Sequence, residues 1–122
     1  IPASRMKANR EHRVPLTERM LELIDECRND SPYLFAENGR PLSINALRML
    51  MIRMKVGEYT PHGFRSSFRT WGAELGNFDS EALEVALAHY SNSSIVSVYR
   101  RTDFIEERTC ILDQWQEYVS RF

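Results

Sequence analysis

Thr60-Pro61-His62-Gly63-Phe64-Arg65-Ser66-Ser67-Phe68-Arg69-Thr70-Trp71 is the stretch on which the reading of this chain turns. A hydroxyl residue that can cap is followed by Pro at the first helical position, where its missing N–H breaks no intrahelical bond. The pattern predicts a helix running to about Leu75 and stopped by Gly76-Asn77. His62 and Arg65 then fall at i and i+3 on its first turn. The unbonded N–H groups and the positive end of the helix dipole lie there too, so a phosphate can be held. Taken alone, an exposed His and Arg in a first turn are ordinary solvated surface.

Downstream, Asp79 or Ser80 caps a short helix through Leu87, and His89 stands at its end, where contact with the last carbonyls is its common use. Ser93 or Ser94 caps a further helix leading to Tyr99, followed by Arg100-Arg101-Thr102-Asp103. Singly, Tyr99 reads as a half-buried core tyrosine and the arginines as a solvated pair. Phe104, Ile111, Trp115, Tyr118 and Phe122 share one face of a last amphipathic helix.

Upstream, Ile1–Met6 and His12–Leu16 flank the polar run Lys7-Ala8-Asn9-Arg10-Glu11 and predict a β-hairpin. Thr17 caps a helix over 18–28, with Met20, Leu23, Ile24 and Cys27 on one face. Tyr33-Leu34-Phe35 reads as a brief buried strand or extended stretch, ended by the turn signal Asn38-Gly39. Ser43 caps a helix carrying Ile44, Leu47, Leu50, Met51 and Met54 and stopped by Gly57, its methionines reading as core filler. The expected fold class is mainly α with a small antiparallel β-sheet at the N-terminal end, one domain over residues 1–122 with no repeat or linker.

Composition narrows the class. With 122 residues, 43% hydrophobic and 27% charged, the chain can bury a core without a disulfide or metal staple. No apolar run approaches the roughly 20 residues of a membrane span, and the first residues lack the order of a signal peptide. The chain opens on Ile1 without a starting Met, as part of a longer protein would. Cys27 and Cys110 stand far apart with no metal-ligand spacing and read as free thiols in a reducing compartment. The net charge of −1 argues against nucleic acid when taken in bulk, but residues 1–20 hold five cations against two anions.

The ordered combination carries more than its parts. His62-x-x-Arg65, Leu87-Ala88-His89 following 24 residues after that Arg, Tyr99 ten residues later and then a basic pair together resemble the tyrosine recombinase family. The wording of 60–71, Tyr99-Arg100-Arg101-Thr102-Asp103 and the segment from Arg5-Met6-Lys7 to Val14-Pro15-Leu16 is similar to its prophage integrase branch. The resemblance spans Ile1 to about Tyr118 and implies a partial catalytic domain acting on double-stranded DNA. It implies Tyr99 as nucleophile forming a 3′-phosphotyrosyl link, with Arg65 on the non-bridging phosphate oxygens. His62 would assist proton movement at the tyrosine hydroxyl, His89 would donate to the phosphate, and Lys7 would protonate the departing 5′-oxygen. It also implies other protomers on attachment-site DNA, a tetramer in the full-length protein, and a bacterial cytoplasmic, nucleoid-associated setting with no membrane partner. The family's pattern has a further arginine upstream, on a helix before the hairpin, and separate DNA-gripping domains, neither of which is expected in this chain, so the piece alone is expected to cleave poorly.

The chemistry suits those residue types. Attack on a phosphodiester builds negative charge on five-coordinate phosphorus, which fixed cationic donors stabilise selectively. Arg pairs two phosphate oxygens with its planar fork. Tyrosine, with a pKa near 10, needs a neighbouring base or field, and the leaving alkoxide needs an acid. The ester energy is kept in the phosphotyrosine, so no cofactor and no metal is implied. The rival readings are DNA relaxation in the manner of a type IB topoisomerase, an inactive DNA-binding module or remnant, and a plain helical interaction domain.

Overall fold

The computed structural model describes residues 1–89 and 103–122. Five helices are present among them: α1 (Glu18–Glu26), α2 (Ala46–Arg53), α3 (Pro61–Glu74), α4 (Ser80–Ala86) and α5 (Ile105–Val119). Two short strands, β1 (Ala36–Glu37) and β2 (Arg40–Pro41), pair antiparallel with Ala36 opposite Pro41 and Glu37 opposite Arg40. The mainly helical class with a small antiparallel sheet therefore holds. No helix among the described residues is long and apolar enough to cross a membrane. The chain groups into two compact units, one of Ile1–Thr17 with Phe68–Phe122 and the other of Glu18–Ser67.

The sheet is not where the sequence placed it. Its turn is Asn38-Gly39, both at positive φ (52° and 74°), the type I′ geometry that matches the twist of a two-residue hairpin. Residues 1–16 form no strand. Ile1 and His12 exchange a pair of backbone hydrogen bonds, His12 N–H to Ile1 O at 3.0 Å and the Ile1 amine to His12 O at 2.7 Å. Between them the chain winds into a 3-10 turn at Ala3–Arg5, started by Pro2, and a second turn from Met6 to Asn9. Proline at 2 and 15 removes ladder donors, and Asn9 sits at φ 48°, so a regular ladder cannot extend.

Two other expectations in the unit Glu18–Ser67 are corrected. Tyr33, Leu34 and Phe35 are exposed and not a buried strand. The Asn29 side-chain amide takes the carbonyls of Cys27 (3.0 Å), Tyr33 (3.3 Å) and Leu34 (3.0 Å), giving the backbone a partner other than a ladder. The helix expected after Ser43 starts only at Ala46, because Ser43–Ala46 closes as a tighter i→i+3 turn, and Ile44 is left 98% exposed. Of its methionines only Met51 is buried, while Met49 and Met54 face outward. α1 forms where expected, with Thr17 buried just before it, but none of its own residues is fully buried.

The unit Ile1–Thr17 with Phe68–Phe122 holds the core. Phe68 and Trp71 from α3, Ala82 and Leu83 from α4, and Ile111 from α5 are buried together, with Phe78, Trp115 and Tyr118 packed against them. Trp115 meets Phe68 edge-on at 5.5 Å between ring centroids and lies 5.1 Å from Trp71. Such tilted contacts add to area burial. Gly72 lets the α3 backbone approach α4, since a Cβ there would lie 2.5 Å from Leu83 Cδ2. Of the apolar face expected on the last helix, Phe104, Ile111, Trp115 and Tyr118 pack on this unit, while Phe122, past the helix end, is 95% exposed. Cys27 and Cys110 are both free thiols.

Candidate active site

Thr60 caps α3 as the sequence predicts: its Oγ1 accepts from the Gly63 N–H at 3.1 Å, and Pro61 is the first helical residue. His62 and Arg65 consequently share the first turn in the unit Glu18–Ser67, His62 exposed and Arg65 half-buried. Lys7 is exposed on the Met6–Asn9 turn, closed by Asn9 N–H to Met6 O at 2.9 Å. It keeps the tip position expected of it, on a loop instead of a strand hairpin. Tyr99, with Arg100, Arg101 and the helix expected to lead into it, lies outside the described residues.

His89 is held twice by one residue. Asp79 caps α4, its Oδ1 accepting from the N–H groups of Glu81 (2.8 Å) and Ala82 (3.0 Å). At the other end Ala88 takes the left-handed conformation, φ 55°. Ala88 N–H bonds to Val85 O and His89 N–H to Glu84 O, both at 2.9 Å, the Schellman pattern. The Glu84 carboxylate then reaches the ring, Oε2 lying 2.8 Å from His89 Nδ1. Its other oxygen accepts from Arg69 Nε of α3 at 2.6 Å, while Arg69 Nη2 donates to Ser80 Oγ at 3.0 Å. Arg69 therefore spans one turn of α4, Ser80 to Glu84. Its guanidinium, ahead of burial and of the His89 ring, sets the balance that holds the Glu84 carboxyl below the usual carboxylate range.

A second polar cluster sits where α5 begins. Arg108 is 1% exposed, and its Nη1 donates to Asp103 O at 3.0 Å while Nη2 donates to Arg13 O. Arg13 Nη1 lies 3.6 Å from the Asp103 carboxylate. His12, buried beside this group, has its pKa lowered by burial first, then by Arg108 and the N-terminal ammonium, against a raising effect from Asp103. The cluster ties the Arg13 backbone to the residue that follows the Tyr99 segment.

Sequence reading missed both groups. For Arg108 a signal existed, since it falls on the apolar stripe of α5 between Phe104 and Ile111, where a cation needs a buried partner. For Arg69 and Glu84 there was none: they are 15 residues apart, and only the packing of α3 on α4 joins them.

Residues 1–106 match the phage integrase family. The chain is 30% identical to the prophage integrase IntA of Escherichia coli K12, covering 98% of this chain and 30% of that protein. It is 30% identical to the prophage integrase IntZ of the same strain, covering 98% of this chain and 31% of that protein. With the integrase of Shigella phage Sf6 identity is 27%, over 98% of this chain and 33% of that protein. The chain thus spans about a third of the length of these relatives. No solved structure matches it. With the family model covering the span that carries Lys7, His62, Arg65, His89 and Tyr99, the chain belongs to the phage integrase family.

Proposed function

We propose that this chain is part of the catalytic domain of a site-specific DNA recombinase that breaks and rejoins strands through Tyr99. The observation that carries the reading is the family match over residues 1–106, which contains the five residues in their expected order. The Tyr99 oxygen attacks the scissile phosphorus, forming the Tyr–phosphorus bond as the bond to the 5′-oxygen breaks. The phenolic proton leaves with help from His62, and Lys7 gives a proton to the 5′-oxygen. Arg65 and His89 stabilise the charge gathering on the non-bridging oxygens. Rejoining runs the same steps in reverse with a 5′-hydroxyl as nucleophile, so bond energy is conserved.

The capped first turn of α3 supports this reading, because it points His62 and Arg65 from a helix end with positive potential. Removing a phosphate donor such as Arg65 is expected to slow cleavage on the order of 10²–10³-fold. The partners in the reading are double-stranded attachment-site DNA and further protomers of the same recombinase.

Covalent trapping tests it. The chain, alone and joined to the segment that precedes it in an integrase relative, is incubated with supercoiled plasmid in EDTA and denatured in SDS. An SDS-resistant protein–DNA adduct that disappears in Tyr99→Phe is expected, stronger in the extended form. DNA binding by the extended form with no adduct on plasmid or on nicked attachment sites would overturn the reading in favour of an inactive binding module. Relaxed plasmid without strand exchange would point instead to topoisomerase-like action.

A further inference from the structure

We propose that Glu84, clamped by Arg69, is the positioning residue of His89, holding the ring proton on Nδ1 so that Nε2 carries a proton only when the ring is imidazolium. The inference rests on the reading of His89 as a phosphate donor and adds to it the form in which the ring can act.

An ionised carboxylate only accepts, so across 2.8 Å the Nδ1 atom must be the donor. A neutral imidazole has one N–H; with that proton on Nδ1, Nε2 is an acceptor. His89 can then donate to a phosphate from Nε2 only as the cation. The clamp fixes this geometry, since Arg69 Nε engages one carboxylate oxygen at 2.6 Å and leaves the other turned to the ring. Arg69 also lowers the pKa of the Glu84 carboxyl, so the carboxylate remains an acceptor near neutral pH. Among the described residues, Glu84 from α4 meets the ring directly, and Arg69 from α3 pairs with the same carboxylate.

Residue 84 holds His89 by two independent bonds, and only one is made by its side chain. The backbone carbonyl takes the His89 N–H at 2.9 Å whatever side chain is present. Glu84→Gln therefore keeps the turn and a group of the same shape while removing the obligation on the proton. A glutamine amide can rotate to donate to Nδ1, which places the neutral ring's proton on Nε2. His89 could then donate without being charged.

The test has two parts. Nitrogen-15 NMR of the ring in this chain, with His89 assigned by the signals lost in His89→Ala, reads the tautomer directly. The neutral wild-type ring is expected to be Nδ1–H, with Glu84→Gln moving a measurable fraction to Nε2–H. A wild-type ring protonated on Nε2, or a tautomer unchanged in Glu84→Gln, overturns the role of Glu84 whatever the enzyme does. Cleavage against pH in the trapping assay is the second part, with His89→Ala supplying the profile of every other titrating group. Glu84→Gln is expected to cleave more slowly than wild type at the wild-type optimum, because a neutral N–H is a weaker donor to phosphate than a charged one. Its rate should also fall less steeply than wild type on the alkaline side. Wild-type rate and profile in Glu84→Gln, with His89→Ala slow, overturns the proposal alone. Wild-type rate in His89→Ala overturns the donor reading of His89 on which the proposal rests.

Discussion

Leu83 in α4 and Leu47 in α2 lie on helices of seven and eight residues, yet one is fully buried and the other 51% exposed. The difference extends to their whole units. Around Leu83 three helices close on a core of aromatic rings, and Gly72 lets them approach. In the unit Glu18–Ser67 only Met51 is buried, and Leu21, Leu47, Leu50 and Ile52 stay exposed. A helical apolar period states which residues share a face. Whether that face is covered depends on elements distant in the chain. The candidate site residues follow the same division: His62 and Arg65 are placed by a local cap, whereas His89 is placed by packing of α3 on α4.

Substitutions can break or sharpen this contrast. Leu83→Ala should show the largest effect, about 3 kcal/mol lost in urea unfolding, because the cavity is walled by α3 and α5 and cannot collapse. Leu47→Ala in the same experiment should lose under about 1 kcal/mol; equal losses would erase the distinction. Gly72→Ala comes next, at about 1–3 kcal/mol, since the new methyl meets a fully buried Leu83 side chain.

Acid should act on the Ile1–Thr17 with Phe68–Phe122 unit in two stages, both of the same sign. The folded pKa of His12 is depressed, so its contribution is whole above the unfolded value of 6.5 and is lost as pH falls towards the folded one. Glu84, also depressed, contributes above 4.5 and loses that contribution at lower pH. Thermal unfolding followed from pH 8 to 3 should show a first decline below 6.5, no steeper than about 1.4 kcal/mol per pH unit. His12→Phe should remove that first decline and leave the second, which Glu84→Gln should remove.

Ala88→Gly should stabilise by about 1 kcal/mol, relieving a left-handed alanine at the end of α4. No gain would mean that the turn relaxes on its own. Smallest of all, Ile44→Ser should change stability by less than about 0.5 kcal/mol, because its side chain is almost wholly in solvent.

Local signals in the sequence match the structure wherever a few adjacent residues carry the physics. Thr60 and Pro61 start α3, Asp79 starts α4, and Asn38-Gly39 makes the hairpin turn. The hairpin assigned to residues 1–16 failed because two proline positions and a left-handed Asn9 outweigh alternating side chains. The buried strand at Tyr33–Phe35 failed because the Asn29 amide, several residues earlier, captures the carbonyls that a ladder would need.

By itself the sequence determined the mainly helical class, the capped first turn bearing His62 and Arg65, and the ordered residues that place the chain in the phage integrase family. These follow from caps, turns and spacing, which act within a few residues. Tertiary structure alone decided that Arg69 reaches Glu84 across 15 residues, that Glu84 then holds His89, and that Arg108 is buried against Arg13 and Asp103. A charge pair between helices leaves no periodic trace, because its geometry comes from how apolar faces pack and not from the order of its members.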